Sequence, residues 1–189
     1  MGWIKEYLAQ LRAALFYIII KVFKKNIMVG EGLKLYCRLD IQGPGKVIIG
    51  KNCIVKSIPG SRNQYVTLYT TSPEAIIEIG DNVQLISAKT SCNFRMRIGN
   101  NVIIEDTSLL DSSFHSVHEH RERPTNESHK NSAINIEDNV LVGVRSVIMR
   151  GVRLGRSSQV LPCSVVQSSF PENSVIIGNP AGVLKDESS

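Results

Sequence analysis

An aliphatic residue returns at every sixth position along the C-terminal part of the chain. The series contains Ile136, Val142, Ile148, Leu154, Val160 and Val166. Glycine, asparagine, serine and charged residues fill most of the positions between its members. A period of six fits neither an α-helix nor the alternation of a half-buried strand. It predicts a short strand followed by a tight turn, in which Gly or Asn can adopt a positive φ.

Three earlier segments repeat one phrase, an Ile-Gly pair followed by any residue and then Asn. They begin at Ile49, Ile79 and Ile98. Each unit is too short to bury its own aliphatic side chain, so neighbouring units must stack to form a shared core. The pattern therefore predicts a mainly β, prism-shaped domain over residues 26–189.

Residues 1–25 follow a different pattern, because their apolar residues recur at helical spacing. The apolar run from Ala13 to Ile20 is far shorter than the roughly 20 residues that cross a bilayer. An amphipathic helix is predicted, and two interpretations of it stay open. It packs on its own domain or a neighbouring subunit, or it lies on an anionic membrane surface.

The formal charge of +5 is concentrated in that helix. Residues 1–25 contain five Lys and Arg side chains against Glu6 alone, which accounts for 5 − 1 = +4. The remainder of the chain is nearly neutral, so no nucleic-acid partner is expected. The four cysteines show no CxxC spacing, which argues against a zinc site or a disulfide framework and favours the cytoplasm.

The repeat is irregular around residues 57–73, because Ile49 and Ile79 are 30 positions apart, and it is also interrupted by a longer insertion. Ile136 and Leu154 are 18 positions apart, whereas Ile98 and Ile136 are 38 apart, which predicts an inserted loop at about 112–133. All four histidines of the chain lie in it, namely His115, His118, His120 and His129. Long loops in compact domains are usually functional or disordered. A neutral imidazole is suited to general-base catalysis near neutral pH.

The repeat resembles that of the hexapeptide-repeat acyltransferases. The segments Asp111-Ser-Ser-Phe-His115 and Gly178-Asn179-Pro180-Ala181 are similar to those of the maltose, galactoside and polysaccharide O-acetyltransferases. The resemblance implies a left-handed parallel β-helix with an N-terminal helix and an inserted loop. It also implies transfer of an acetyl group from acetyl-CoA to a hydroxyl of a sugar or glycan precursor, in a homotrimer with sites between subunits.

The resemblance also implies which residues form the site, and it implies no metal. His115 is the expected general base. Asp111 is expected to orient His115 or to bind the acceptor hydroxyl, with a purely structural turn aspartate as the alternative. The positions that match the acetyl-CoA contacts of the family are Gly143, Val144, Pro162, Gln167, Ser168, Asn179, Pro180 and Lys185.

Three other functions remain open on the sequence. One is N-acyl transfer to an amino sugar or an antibiotic, which needs the same base. Another is a non-catalytic β-helix that serves as a scaffold. The last is a metal enzyme similar to γ-class carbonic anhydrases, which would need further histidine ligands upstream, whereas no histidine precedes His115.

Overall fold

The computed structural model describes residues 2–58, 65–112 and 132–184. Over these ranges an N-terminal helix, α1 (Gly2–Phe23), precedes a succession of short strands that wind in triangular coils.

The strands follow one another in groups of three, one group to a coil. The first coil contains β1 (Ile27–Val29), β2 (Lys34–Leu35) and β3 (Leu39–Gln42). The second contains β4 (Lys46–Ile49), β5 (Ile54–Lys56) and β6 (Val66–Thr70). The third contains β7 (Ile76–Ile79), β8 (Gln84–Ile86) and β9 (Lys89–Cys92). The fourth contains β10 (Arg95–Ile98), β11 (Ile103–Glu105) and β12 (Ser108–Leu110).

The later coils have shorter strands. The fifth contains β13 (Ile134–Ile136), β14 (Leu141–Val142) and β15 (Val147–Ile148). The sixth contains β16 (Arg153–Leu154), β17 (Gln159–Val160) and β18 (Val165–Val166). The chain then forms β19 (Val175–Gly178) and β20 (Ala181–Val183), which pair antiparallel.

Every third strand joins the same parallel sheet, so the prism has three faces. Sheet one has the order β1-β4-β7-β10-β13-β16, sheet two β2-β5-β8-β11-β14-β17-β19-β20, and sheet three β3-β6-β9-β12-β15-β18. Ile49, Ile79, Ile98 and Ile136 pair in register across sheet one. The predicted mainly β architecture with an N-terminal helix is therefore confirmed. We call the turns after sheets one, two and three the first, second and third corners.

The aliphatic series fills the inside of the prism. All six residues from Ile136 to Val166 in steps of six are completely buried. The small residues between them are buried too, and their hydroxyls find carbonyl partners. Ser164 Oγ donates to the carbonyl of Leu161 at 2.7 Å, and Ser158 Oγ donates to that of Pro171 at 3.0 Å. These two buried hydroxyls are thus satisfied, as is usual for polar groups in close-packed interiors.

The first corner explains the repeated Ile-Gly-x-Asn phrase. Its asparagines have positive φ, 56° at Asn52 and 57° at Asn82, a conformation that Asn tolerates better than most residues. The residue before each one links successive coils. Asp81 Oδ1 accepts a hydrogen bond from the Lys51 N–H at 2.7 Å, and Asn100 Oδ1 accepts one from the Asp81 N–H at 2.8 Å.

The glycine of the phrase is required by close stacking of the coils. A Cβ added to Gly80 would lie 2.8 Å from the carbonyl carbon of Gly99 and 2.6 Å from Asn100 Oδ1. We therefore expect Gly80→Ala to lower the free energy of unfolding by roughly 1–3 kcal/mol, the usual cost of overpacking. Urea denaturation followed by circular dichroism measures it.

Gly182→Ala is the matched control, because a Cβ at Gly182 meets nothing within 4 Å. Its effect should stay within about 0.5 kcal/mol. Equal stability of the two variants would contradict the stacking explanation.

Helix α1 lies against the first coil, whose three strands form the ends of the three sheets. Ala9, Ala13 and Ile20 are buried in this contact. Arg12 donates to the carbonyl of Tyr36 at 3.0 Å, and the Tyr17 hydroxyl donates to the carbonyl of Gly30. The interpretation that the helix packs on its own domain is thus correct for this face.

The opposite face of α1 is also apolar and is exposed, which corrects the predicted amphipathic pattern. We call this surface the outer face. It contains Trp3, Ile4, Tyr7, Leu8, Leu11, Leu15, Ile18, Ile19 and Val22, and Phe23 is exposed at the end of the helix. The helix has more apolar residues than a single core-facing stripe can hold.

Candidate active site

The long connection between β12 and β13 occupies the third corner of the prism. In other coils this corner takes residues 43–45, 71–75, 93–94 and 149–152, whereas here it takes residues 111–133. His115, His118, His120 and His129 lie in 113–131, outside the described residues. The inserted loop and the assignment of His115 as a base therefore stay predictions. The described strands show that this connection leaves sheet three at Leu110 and rejoins sheet one at Ile134.

Asp111 has a structural role at the start of this connection. Its side chain is completely buried, and Oδ1 accepts the backbone N–H of Asn93 at 2.6 Å. Oδ2 accepts the backbone N–H groups of Phe94 at 2.7 Å and Arg95 at 3.0 Å. The carboxylate therefore fixes the third corner of the coil below. Of the alternatives weighed from the sequence, this geometry supports the turn aspartate.

Cys92 also contacts the Asp111 carboxylate. Its Sγ lies 3.3 Å from Asp111 Oδ2 and donates to it. Burial, together with the charge of Asp111 and this hydrogen bond, raises the pKa of the Cys92 thiol far above its ordinary value. Cys92 is thus a protonated donor within the core and no nucleophile.

Three of the predicted acetyl-CoA residues stack at the second corner. Gly143 and Val144 follow β14, and Pro162 follows β17 one coil later. The N–H of Cys163 donates to the carbonyl of Val144 at 2.9 Å, and a Cβ on Gly143 would lie 3.1 Å from Pro162 Cδ. The coils therefore touch along this corner.

The remaining predicted acetyl-CoA residues divide between two places. The Asn179-Pro180 turn adjoins the second corner, because the preceding Gly178 N–H donates to Ser164 Oγ at 3.2 Å. Gln167 and Ser168 follow β18 and lie at the third corner instead. Lys185 lies outside the described residues. One chain thus groups most of these positions but separates Gln167 and Ser168 from them.

A polar cleft of about 390 Å³ opens on the outside of sheet one. Arg97, Asn135 and Arg153 are neighbours in register across the sheet and line it. Glu137 lies opposite and pairs with Arg153 at 2.6 Å, and this contact holds the pKa of Glu137 below its usual value. The cleft extends from the middle of sheet one towards the first corner, where Gly99, Asp138 and Arg156 also line it.

Comparison with known proteins identifies the fold. No family model matches the chain. A variant of AntD, an N-acyltransferase from Bacillus cereus in complex with dTDP and coenzyme A, aligns with a TM-score of 0.63 and 15% identity, over 89% of this chain and 87% of AntD. The hexapeptide-repeat acetyltransferase VCA0836 from Vibrio cholerae aligns with a TM-score of 0.51 and 20% identity, over 94% of this chain and 81% of that protein. The chain has the fold of the hexapeptide-repeat acetyltransferases.

A curated relative is similar over a shorter stretch. The 2,3,4,5-tetrahydropyridine-2,6-dicarboxylate N-acetyltransferase of Staphylococcus aureus strain JH9 is 40% identical over 57 residues, which are 30% of this chain and 24% of that enzyme. The chain thus spans about a quarter of the length of the curated relatives it matches.

The second corner of this hexapeptide-repeat prism offers more apolar surface than free backbone donors. The Gly143 N–H is bonded to the carbonyl of Val160 at 2.9 Å, and Pro162 has no N–H to offer. Val144 and Pro162 present apolar surface beside these groups. Arg145 is exposed at the same corner and places a cation beside this apolar surface.

Neither a membrane span nor a metal cluster is found in the described part of the prism and helix. Over residues 2–58, 65–112 and 132–184, no helix has the length and apolarity that a bilayer crossing demands. The same ranges bring no three His, Cys, Asp or Glu side chains together in a way that could hold a metal ion.

Proposed function

We propose that this protein transfers an acetyl group from acetyl-CoA to a hydroxyl of a sugar or glycan precursor, with His115 as general base. The observation that carries the proposal is a hexapeptide-repeat prism whose longest connection, at the third corner, contains every histidine of the chain. The polar cleft at Arg97, Asn135 and Arg153 includes the strand that follows this connection and offers hydrogen-bond donors to a polyhydroxylated acceptor.

The proposed reaction needs one base and no covalent enzyme intermediate. His115 takes the proton of the acceptor hydroxyl while its oxygen attacks the thioester carbonyl carbon. The carbon–sulfur bond then breaks, and the imidazolium returns the proton to the leaving thiolate of coenzyme A. The products are the acetyl ester and free coenzyme A. Asp111 takes no direct part in this reaction, because its carboxylate is engaged in fixing the turn at residues 93–95.

A homotrimer would bring the predicted acetyl-CoA residues of the second and third corners together between two subunits. In this proposal the second corner of one subunit, with Gly143, Val144 and Pro162, faces the third corner of the next, with Gln167 and Ser168. Asn179, Pro180 and Lys185 complete the groove. The mass of the native protein by light scattering tests it, and a monomer that turns over acetyl-CoA would contradict the shared site. A cytoplasmic location belongs to the same proposal.

Cys163 offers a test of the groove that does not depend on activity. Its side chain is exposed next to Pro162, whereas burial raises the pKa of the Cys53 thiol and suppresses its reactivity. Alkylation of the native protein should therefore modify Cys163 first. With acetyl-CoA at ten times its Kd, about nine sites in ten are occupied, and this reaction should become roughly tenfold slower.

Pulse alkylation followed by peptide mass spectrometry measures both rates. Cys37, which is half-buried at the far end of the prism, is the internal control, and its slower rate should not change on addition of acetyl-CoA. An unchanged Cys163 rate at saturating acetyl-CoA would place the coenzyme elsewhere.

N-acyl transfer is the second candidate, favoured by two comparisons. The curated relative is an N-acetyltransferase, and AntD is an N-acyltransferase solved with dTDP. We would distinguish the two with a pair of nucleotide sugars that differ only in a hydroxyl or an amino group at one carbon. A product that hydroxylamine cleaves is an ester and supports O-transfer, whereas a resistant product is an amide.

The scaffold and the carbonic anhydrase-like enzyme predict results that differ from those of an acetyltransferase. A scaffold would release no coenzyme A with any acceptor. A carbonic anhydrase-like enzyme would purify with stoichiometric metal and hydrate carbon dioxide, so metal analysis and a hydration assay decide that alternative.

A further inference from the structure

Helix α1 has two apolar faces, and only one of them is used within the chain. At 100° per residue, Ala9, Ala13 and Ile20 share the side that packs on the first coil. The outer face points the opposite way, and Ile18 at its centre is 61% exposed. A soluble helix normally carries charged residues on that side. We therefore expect the side chains of the outer face to be buried in a second apolar environment, outside the prism.

The charges around the outer face are of one sign. Lys5 and Arg12 lie along one flank of the helix, Lys21 lies along the other, and Lys24 and Lys25 follow its C-terminal end. The single acidic residue, Glu6, is turned towards the first coil. There it pairs with Lys34 at 2.6 Å and accepts a hydrogen bond from Tyr36. The outer face thus presents apolar side chains between uncompensated cations.

A second copy of the chain is a poor match for this surface. In a two-fold contact the same patch meets itself. The lysines that flank the outer face would then face one another without acidic partners on either helix. An anionic surface that is apolar inside satisfies both the cations and the apolar side chains. Lipid headgroups and acyl chains provide that combination.

The aromatic residues have the distribution that an interfacial helix requires. Trp3 and Tyr7 lie near the N-terminal end, and Phe23 closes the C-terminal end. Trp and Tyr favour the boundary between headgroups and acyl chains because their rings are partly polar. We propose that α1 lies in the plane of an anionic bilayer, with its outer face among the acyl chains and its inner face on the prism. This proposal does not depend on the acetyltransferase activity.

Vesicle sedimentation with the full chain tests the proposal. One set of vesicles is phosphatidylcholine alone, and in the other about a third of the lipid is phosphatidylglycerol. We expect the protein to pellet with the anionic vesicles, and severalfold less with the neutral ones. Added salt should weaken the binding to anionic vesicles, because surface charges are screened.

A triple variant, Leu11→Asn with Leu15→Asn and Ile18→Asn, removes the centre of the outer face. Its affinity for anionic vesicles should fall at least about tenfold, since three apolar side chains lose their burial. The matched control is Val183→Asn with Leu184→Asn, which makes the same change at exposed apolar residues of the opposite end and should bind as the wild type does. Circular dichroism verifies that both variants fold.

Charge provides a second variant should the triple variant not fold. Lys21→Gln with Lys24→Gln and Lys25→Gln should weaken anionic binding by roughly a hundredfold, at roughly fivefold for each cation. Wild-type protein that stays in the supernatant with anionic vesicles would overturn the proposal. So would a triple variant or a lysine variant that pellets as well as the wild type. A wild-type mass that drops in the triple variant, without any vesicle binding, would assign the outer face to a second copy instead.

The result is separable from the proposed function. Acetyl transfer to a water-soluble acceptor should be unchanged in the triple variant. An active protein that ignores vesicles rejects only the membrane contact, and an inactive protein that binds them rejects only the acetyltransferase.

Discussion

Replacement of His115 by alanine should lower kcat for acetyl transfer by roughly 10²–10⁴, the usual contribution of a positioned general base. The acceptor hydroxyl would then have to lose its proton to water as it attacks the thioester. Release of the free thiol of coenzyme A, followed with a chromogenic disulfide, measures the rate. The Kd of acetyl-CoA should not change, because His115 is not among the predicted acetyl-CoA contacts.

His129→Ala is the control for this variant. It removes an imidazole from the same segment, at a position that the proposed mechanism does not use. It should retain most of the wild-type rate. A His115→Ala protein with normal turnover would show that the base lies elsewhere. Alanine variants of His118 and His120, the other histidines close to it, would then be the next to measure.

The second large effect is expected in stability. Asp111→Ala would remove the fully buried carboxylate that accepts the backbone N–H groups of Asn93, Phe94 and Arg95 in a part-buried turn. A buried donor left unsatisfied costs about 1–3 kcal/mol, and these three donors are partly buried, so the free energy of unfolding should fall by about 3 kcal/mol. The midpoint of urea denaturation, with its slope, measures the loss.

Two further aspartate variants give this experiment its controls. Asp40→Ala removes a carboxylate that pairs with Arg38 at 3.2 Å on the surface, and it should cost less than about 1 kcal/mol. Asp111→Asn keeps one acceptor oxygen, so its loss of unfolding free energy should lie between those of Asp111→Ala and Asp40→Ala. If Asp111 acts only by fixing the turn, the folded Asp111→Asn protein keeps its kcat. A large loss of kcat in a stable Asp111→Asn protein would show that Asp111 takes a direct part in catalysis.

The interior of the prism follows from the sequence because the repeat is local. Ile136 and Leu154 pair in neighbouring strands because three units of six return the chain to the same face. The same reasoning placed Ile79 opposite Ile98 although one additional residue separates them. A short period, turn residues that accept positive φ and a side chain that must be buried leave few other arrangements.

The insertion could be located from the spacing of the repeat, because an interval much longer than 18 residues between equivalent positions is easy to find. The irregular stretch near residues 57–73 was harder to delimit. Residues 66–70 of it form the regular strand β6, and the departures from the repeat lie on either side. Pattern alone could not recover β6, since the neighbouring connections shift its phase.

The sequence by itself determined the coil, the inward residues and the segment that holds the histidines. Only the tertiary structure decided what Asp111 does, because its partners at 93–95 lie one coil away, and no local pattern encodes that contact. It also decided that Gly143 and Pro162 share a corner which Gln167 does not, and that α1 buries one apolar face and exposes the other. The periodicity of the sequence predicts which side chains are buried, whereas the residues that they contact depend on how the coils stack.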